Sequence, residues 1–148
     1  NTYSKQVEEY AHQCQSEFLA LCGNIEMEIS NLNKSDQADY LAMYNLDFSG
    51  LDRLIQSAYS MLGLETFFTA GAQEIKAWTI KKGFTAPQAA GVIHTDFERG
   101  FIKAEIYTIA DLEQHESEVS LKNAGKIRQE GKEYVVKDGD VVFFKFNV

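Results

Sequence analysis

The sequence contains one proline, Pro87, and two cysteines, Cys14 and Cys22, among its 148 residues. Two cysteines are too few for a disulfide scaffold, and free thiols are typical of a reducing cytoplasm. A zinc site would need two further soft ligands near them, and His12 is the only one close in sequence. We therefore expect a cytoplasmic protein with no metal site.

Long apolar runs are also absent. No segment approaches the roughly 20 apolar residues that span a bilayer, and residues 1–6 carry no basic-then-apolar signal. We expect no membrane partner. The chain begins with Asn1 instead of Met, which favours a shortened protein.

Acidic residues outnumber basic ones, and the net charge is −8. Residues 1–64 carry 3 basic and 9 acidic side chains, hence −6, whereas residues 65–148 carry 11 and 13, hence −2. Five of those 13 acids fall within residues 105–118, which hold no base, so the rest of the second part is +3. This balance argues against DNA as a partner and leaves room for a local basic face that meets structured RNA.

The first part of the chain is predicted to be mostly helical. Apolar residues at helical spacing indicate helices over residues 4–15, 24–32, 36–44 and 49–62. Gly63 is placed to end the last of these helices. The run Phe18-Leu19-Ala20-Leu21, within residues 17–22, is typical of a buried strand.

The second part is predicted to be rich in strands. We expect strands over residues 64–69, 74–80 and 101–107, with Ile102, Ala104 and Ile106 on one face of the last. Thr85 and Gln88 form a capping box for a helix over residues 86–93. A short helix over residues 117–124 precedes Gly125. Asp138-Gly139 indicates a hairpin between strands over residues 134–137 and 141–147. The fold class is therefore α+β, with a boundary near residue 64.

The Walker motif G-x-x-x-x-G-K-[ST] is absent. Gly125-Lys126 and Gly131-Lys132 are followed by Ile127 and Glu133, which supply no hydroxyl for magnesium. Without a phosphate cradle, the P-loop type of phosphoryl transfer has no support in this chain.

From residue 49 onwards the sequence nevertheless resembles the tail of the YchF group of Obg-related P-loop proteins. The resemblance rests on short motifs in fixed order: TFFTAG at 66–71, AWTI at 77–80, APQAAG at 86–91, IHTDFERGFI at 93–102, AGK at 124–126, VKDGD at 136–140 and FKFNV at 144–148. Residues 1–48 match more loosely.

The resemblance implies a fold and a division into domains. Residues 65–148 would form a β-grasp, ubiquitin-like TGS domain, and residues 1–64 the carboxy-terminal remnant of an α/β P-loop nucleotide-binding domain. The parent protein would be a ribosome-associated ATPase, possibly a GTPase, that uses ATP or GTP with magnesium. This chain alone would be no enzyme and would hold no cofactor.

Two sets of site residues follow. The resemblance places Leu21, Cys22, Gly23 and Asn24 at the loop beside the nucleotide base. We expect Lys81, Lys82, Arg99 and Lys103 to converge on a ribosomal or RNA partner. His94, Asp96 and Glu98 resemble acid–base equipment but have no nucleophile beside them, so a structural role is the better interpretation. Trp78 is interpreted as core rather than as a stacking platform, and Phe143, Phe144 and Phe146 as core or interface.

The function that we expect is therefore that of a binding module, which docks the parent hydrolase to the ribosome or to another RNA–protein surface. An enzyme acting alone finds no support in the residue spacing. A domain that senses a small nucleotide, such as a guanosine alarmone, is the alternative, and it rests on fold analogy alone.

Overall fold

The computed structural model describes residues 1–71 and 74–147, so Val148, the last residue of the matched motifs, lies outside it. Two compact units make up the chain, Asn1–Leu62 and Gly63–Val148. In the described residues the first unit contains helices only, and the second contains a five-stranded sheet with helices. The expected α+β class is confirmed.

The first unit is built from four helices: α1 (Thr2–Gln13), α2 (Gly23–Asn31), α3 (Lys34–Met43) and α4 (Gly50–Leu62). All four lie within two residues of the predicted positions. Gly63 has a φ of +61°, the left-handed conformation that ends a helix, as its position after α4 predicted.

The strand predicted within residues 17–22 is wrong. Residues 16–22 have no regular structure, and Leu21 is 46% exposed. A strand forms by pairing its backbone with a neighbour, and no described residue of the first unit offers one. An apolar run is therefore insufficient here, because the run has no partner strand.

The second unit contains strands β1 (Leu64–Ala70), β2 (Ile75–Lys81), β3 (Phe101–Thr108), β4 (Arg128–Glu130) and β5 (Asp140–Phe146), in the sheet order β2-β1-β5-β3-β4. β1 and β5 are parallel, and the other neighbours are antiparallel. Helices α5 (Ala86–Ile93) and α6 (Thr95–Arg99) connect β2 to β3, and α7 (Ile109–His115) and α8 (Glu118–Asn123) connect β3 to β4.

The sheet has two faces with different coverings. On the α5 face, strand residues and the alanines of α5 form the main core, whose members include Phe67, Ile80, Ala89, Ala90, Ala104, Ile106, Val142 and Phe144. On the opposite face a smaller cluster joins Tyr107 and Val141 to Leu121 of α8, with Leu112 of α7 against it. The Tyr107 hydroxyl donates to Glu118 at 2.6 Å. Burial, and then this bond to a carboxylate, raise the pKa of Tyr107.

A bulge changes the alternation predicted for β3. The pairing shifts register between Phe101, which lies opposite Phe146, and Lys103, which lies opposite Lys145. Ile102 is therefore the extra residue and is 55% exposed, while Phe101 takes a place in the core with Ala104. The prediction that Ile102 shares the core face was wrong, because a period of two cannot anticipate an inserted residue.

The turn predicted at Asp138-Gly139 is confirmed, but the hairpin predicted to flank it is wrong. The Asp140 N–H donates to Lys137 O at 3.1 Å, and only Gly139 of the two central residues has a positive φ, +82°. That pattern is a type II turn, whose twist does not suit a two-residue hairpin. Both edges of β5 are taken by β1 and β3, and Val135 instead bridges Thr85.

The helix that begins after Thr85 follows its predicted signals closely. The Thr85 N–H donates to Gln88 Oε1 at 2.9 Å, which is the reciprocal bond of a capping box. Pro87 lies in the first turn, where its missing N–H leaves no bond unmade. The short helix predicted over residues 117–124 is α8, and Gly125 with a φ of +67° follows it.

Candidate functional site

Lys81 and Lys82 lie where β2 ends, at an edge of the sheet. Lys81 pairs with Leu64, and the Lys82 N–H donates to Gly63 O at 2.8 Å. Both side chains are exposed. Gly83, with a φ of +90°, then turns the chain towards α5.

Arg99 and Lys103 lie at the start of β3. Arg99 is the last residue of α6, and Gly100 separates it from the strand. A side chain at Gly100 would collide with Asn147 O, only 2.1 Å from an added Cβ, so this junction requires glycine. Lys103 lies on the face opposite Ala104, and its Nζ donates to Gln129 Oε1 at 2.9 Å.

The four basic residues do not converge, contrary to the prediction. The parallel strands β1 and β5 are aligned where Phe68 lies opposite Val141. Lys81 pairs with Leu64, which lies four residues before that level on β1. Lys103 pairs with Lys145, which lies four residues beyond that level on β5. Eight residues of strand correspond to roughly 26 Å. The reason is topological: β2 and β3 run in the same direction, so the end of one and the start of the other lie at opposite ends of the sheet.

The four residues predicted to lie beside the nucleotide base form the entry to α2. Leu21, Cys22, Gly23 and Asn24 are all exposed, and Cys22 occupies the position before the helix with an extended backbone. The Gly50 N–H donates to Glu26 Oε1 at 2.8 Å, which ties α2 to the start of α4. Leu21, Cys22 and Glu26 line a cavity of about 180 Å³ in the first unit. Their contact with a nucleotide stays a prediction.

His94 and its acidic neighbours have structural contacts. His94 Nδ1 accepts the Asp96 N–H at 3.2 Å, so the imidazole caps α6. The side chain of His94 is 59% exposed. Within the described ranges, 1–71 and 74–147, no group of three or more His, Cys, Asp or Glu could hold a metal ion. The same ranges contain no helix with the length and hydropathy for crossing a bilayer.

Trp78 also has a structural position. Its Nε1 donates to Thr69 Oγ1 at 3.0 Å, and the ring packs against the main core. Lys76 Nζ lies 4.1 Å above the ring centre. The interpretation of Trp78 as a core residue agrees with these contacts.

The three phenylalanines of β5, which were expected together as core or interface, have different positions in the structure. Phe144 is 7% exposed and packs in the core, and Phe146 stacks on Phe97 with ring centres 3.8 Å apart. Phe143 lies on the opposite face and is 48% exposed. Strict alternation from Val142 would have placed Phe143 there, since neighbouring residues of a strand face opposite sides.

The chain is similar to proteins of known family. The family model YchF-GTPase_C, described as "Protein of unknown function (DUF933)", matches residues 64–147. The Ribosome-binding ATPase YchF of Bacillus subtilis is 51% identical over 142 residues, which cover 96% of this chain and 39% of that protein. The Obg-like ATPase 1 of Gallus gallus is 49% identical over 125 residues, 84% of this chain and 31% of that protein.

A solved structure agrees with these sequence relatives. The Schizosaccharomyces pombe YchF GTPase has a TM-score of 0.80 at 34% identity, over 98% of this chain and 39% of that one. The chain thus spans about two fifths or less of the length of these relatives. The family model matches more than half of the chain. The chain belongs to the YchF-GTPase_C family, as the resemblance of its motifs predicted.

Proposed function

We propose that this chain is the carboxy-terminal binding module of a ribosome-associated P-loop protein, and that it docks the parent hydrolase to the ribosome or to an RNA–protein partner in the cytoplasm. The observation that carries the proposal is the 51% identity, over 96% of the chain, to a protein named Ribosome-binding ATPase YchF. The exposed lysines on the sheet unit support it, because phosphate contacts position a protein on RNA.

The proposed module has two parts. Residues 65–148 are proposed as the TGS-like β-grasp domain, which the strand order β2-β1-β5-β3-β4 with α5 across one face supports. Residues 1–64 are proposed as the end of the P-loop domain, which the unpaired apolar run of residues 18–21 supports. In the parent protein, the loop at residues 21–24 would lie beside the base of ATP or GTP, and magnesium would be bound by the Walker motif that this chain lacks.

Hydrolysis is proposed to belong to the parent protein and not to this chain. Phosphoryl transfer of the P-loop type depends on backbone amides, a lysine and a hydroxyl ligand of magnesium, arranged by one motif. The sequence of this chain offers no such arrangement. The two functions are therefore separable by mutation.

Charge reversal in the parent protein tests the docking proposal. Because the basic residues form two separate pairs, the test uses two double variants, K81E/K82E and R99E/K103E. We expect at least one of the two double variants to co-sediment less with ribosomes than the original protein does, with the largest loss at higher salt. Nucleotide turnover should be unchanged.

A matched control is K5E/K34E, which reverses two lysines of the helical unit. Normal co-sedimentation of both test variants across a salt series would refute a docking role for the sheet unit's lysines. Loss of turnover together with binding would show that docking and hydrolysis are not separable.

A further inference from the structure

The parallel strands β1 and β5 are joined over a short stretch only. In the described part of the chain a single pair links them, Phe68 opposite Val141. Beyond this level β1 ends at Ala70, whereas β5 continues to Phe146. The end of β1 stays with β2, where Ala70 pairs with Ile75. The sheet therefore opens into a cleft between the end of β1 and the second half of β5.

A cavity lies on each face of the sheet at this cleft. The larger, of about 580 Å³, lies on the α5 face and has aromatic walls that include Trp78 and Phe97. The smaller, of about 190 Å³, lies on the opposite face beside Tyr107. Val142 and Phe143 line both cavities, although neighbouring side chains of a strand face opposite sides. Each cavity therefore reaches the edge of β5.

The edge of β5 inside the cleft presents main-chain groups. The Asn147 N–H donates to Gly100 O at 2.9 Å, towards the start of β3. Backbone N–H groups alternate in direction along a strand, so those of Phe144 and Phe146 point the other way, into the cleft. Within residues 1–71 and 74–147 no strand pairs with β5 on that side beyond Val141. The main chain of an extended peptide completes an edge of this kind.

Carboxylates outnumber ammonium groups among the charged side chains that line the two cavities. Glu105, Glu118 and Lys145 line the smaller cavity, and Glu74 lines the larger. Lys145 Nζ lies 3.8 Å from Glu105 Oε2 and offsets that charge. Glu118 accepts a hydrogen bond from the neutral Tyr107 hydroxyl at 2.6 Å, so its charge is not offset by that contact. The cleft is therefore negative, and charge complementarity favours a basic occupant.

We propose that this cleft binds an extended, basic segment of a protein partner, which adds to the sheet as a strand beside β5. Successive side chains of a strand point to opposite faces. One side chain of the segment enters the larger cavity, where the rings of Trp78 and Phe97 suit an apolar group. The next enters the smaller cavity, where Glu105 and Glu118 suit a lysine or an arginine. The inference rests on the proposed docking function and identifies the chemistry of its partner.

A peptide fits the cleft better than a nucleic acid or a second copy of this chain does. The carboxylates of Glu74, Glu105 and Glu118 repel phosphates, and a nucleic acid has no main-chain amides for the edge of β5. A second copy would bring its own net charge of −8 to a negative cleft.

The test is fluorescence anisotropy of the 148-residue chain with a fluorescein-labelled peptide of about nine alternating valine and arginine residues. The same peptide with every second amide N-methylated keeps its side chains but loses the donors on one edge. We expect it to bind about tenfold more weakly. A peptide that alternates valine and glutamate should also bind more weakly, because its charge matches that of the cleft.

Hydrogen exchange shows whether a strand has been added. When the basic peptide is bound, exchange of the Phe144 and Phe146 amides should slow, because the peptide main chain takes up their N–H groups. A contact made by side chains alone leaves these two exchange rates unchanged.

A steric variant locates the binding site. Ala70 lines both cavities, so Ala70→Leu narrows the cleft, and we expect about tenfold weaker binding of the basic peptide or a larger loss. Ala77→Leu is the matched control, since it makes the same change at an exposed position of β2 that lines neither cavity. This control should bind the peptide normally.

A charge variant tests the preference for a basic segment. E105Q/E118Q removes two carboxylates from the smaller cavity and should weaken binding of the basic peptide about tenfold. E113Q/E133Q removes two exposed carboxylates of the same unit that line neither cavity, and it should bind normally.

Several results would overturn the proposal. They are a failure of the original chain to bind the basic peptide, equal binding of the N-methylated peptide, and unchanged exchange at Phe144 and Phe146. Equal binding by Ala70→Leu and Ala77→Leu would also overturn it, as would displacement of the peptide by single-stranded RNA of equal affinity. If Ala70→Leu does not fold, the N-methylated peptide and the exchange rates of the original chain decide the matter.

Co-sedimentation with ribosomes, measured on the same variants, separates this proposal from the docking function. A chain that pellets with ribosomes but binds no basic peptide retains the docking function and refutes the peptide cleft. A chain that binds the peptide in the cleft but never pellets refutes docking and retains the cleft.

Discussion

The Thr66 N–H donates to Oδ1 of Asp138 at 2.7 Å, which joins the start of β1 to the turn before β5 across 72 residues of sequence. The Gly139 N–H returns a bond to Thr66 O at 2.8 Å. The turn thus pairs with β1, the first strand of the sheet, and not with its own neighbour in sequence. These two hydrogen bonds therefore fix the register between the parallel strands β1 and β5.

Removal of the Asp138 carboxylate should therefore destabilise the sheet unit. Asp138→Ala leaves the Thr66 amide without this acceptor, and we expect a loss of about 1 kcal/mol in the free energy of unfolding. Asp138→Asn keeps an oxygen acceptor and should lose less. Urea unfolding, followed by tryptophan fluorescence from Trp78 in the same unit, measures both. If both variants lost the same free energy of unfolding, the hydrogen bond from Thr66 would not be the source of the lost stability.

Gly139 should tolerate substitution less well than an unconstrained glycine. Its φ of +82° is strained for any residue with a Cβ, although an added Cβ would meet no atom within 4 Å. Gly139→Ala should therefore cost about 1 kcal/mol from backbone strain alone. Gly131→Ala is the matched control, since Gly131 has equal space and no positive φ. A Gly139→Ala variant as stable as Gly131→Ala would contradict the turn geometry.

Local signals predicted the elements of this fold better than their pairing. The capping box at Thr85, the helix stop at Gly63 and the turn at Asp138-Gly139 depend on residues within a few positions of one another, so the sequence reveals them. The bulge at Ile102 and the place of β5 between β1 and β3 depend on distant partners. A short apolar run such as residues 18–21 indicates burial but not the neighbour that it requires.

The candidate site shows the same division. Exposure of Lys81 and Lys82 follows from their charge and their position at the end of β2, whereas Lys103 is half-buried. Their mutual distance depends on strand direction and order, which the sequence does not state. The exposed ring of Phe143 was hidden in a run of aromatic residues, and only the register with β3 shows that Lys103 lies opposite Lys145.

Acidification should weaken the contact between α7 and the segment after α8. The Thr108 hydroxyl donates to Asp111 Oδ2 at 2.7 Å, and Lys126 Nζ lies 3.3 Å from Oδ1. The hydrogen bond from Thr108, and then the interactions with Lys126, lower the pKa of Asp111. A carboxylate with a lowered pKa in the folded state stabilises the fold above its unfolded value of about 3.9. That stabilisation is lost as the pH falls through the folded value.

Comparison with Asp111→Asn isolates this effect. The free energy of unfolding of the original chain should exceed that of the variant at pH 6, and the difference should shrink as the pH falls from about 5 towards 3. Urea unfolding at a series of pH values gives the difference directly. A difference that stays constant, or grows, over that range would mean that Asp111 is not stabilised as a carboxylate by Thr108 and Lys126.

We propose that this chain docks to ribosomes without hydrolysing nucleotide itself. The most direct measurement pellets the 148-residue chain with purified ribosomes through a sucrose cushion, with and without ATP, and assays phosphate release by the chain alone. We predict saturable pelleting that does not need ATP and that weakens as salt rises, with no phosphate released above buffer. A chain that stays in the supernatant even at low salt would refute ribosome docking, and a chain that releases phosphate by itself would show that it hydrolyses nucleotide.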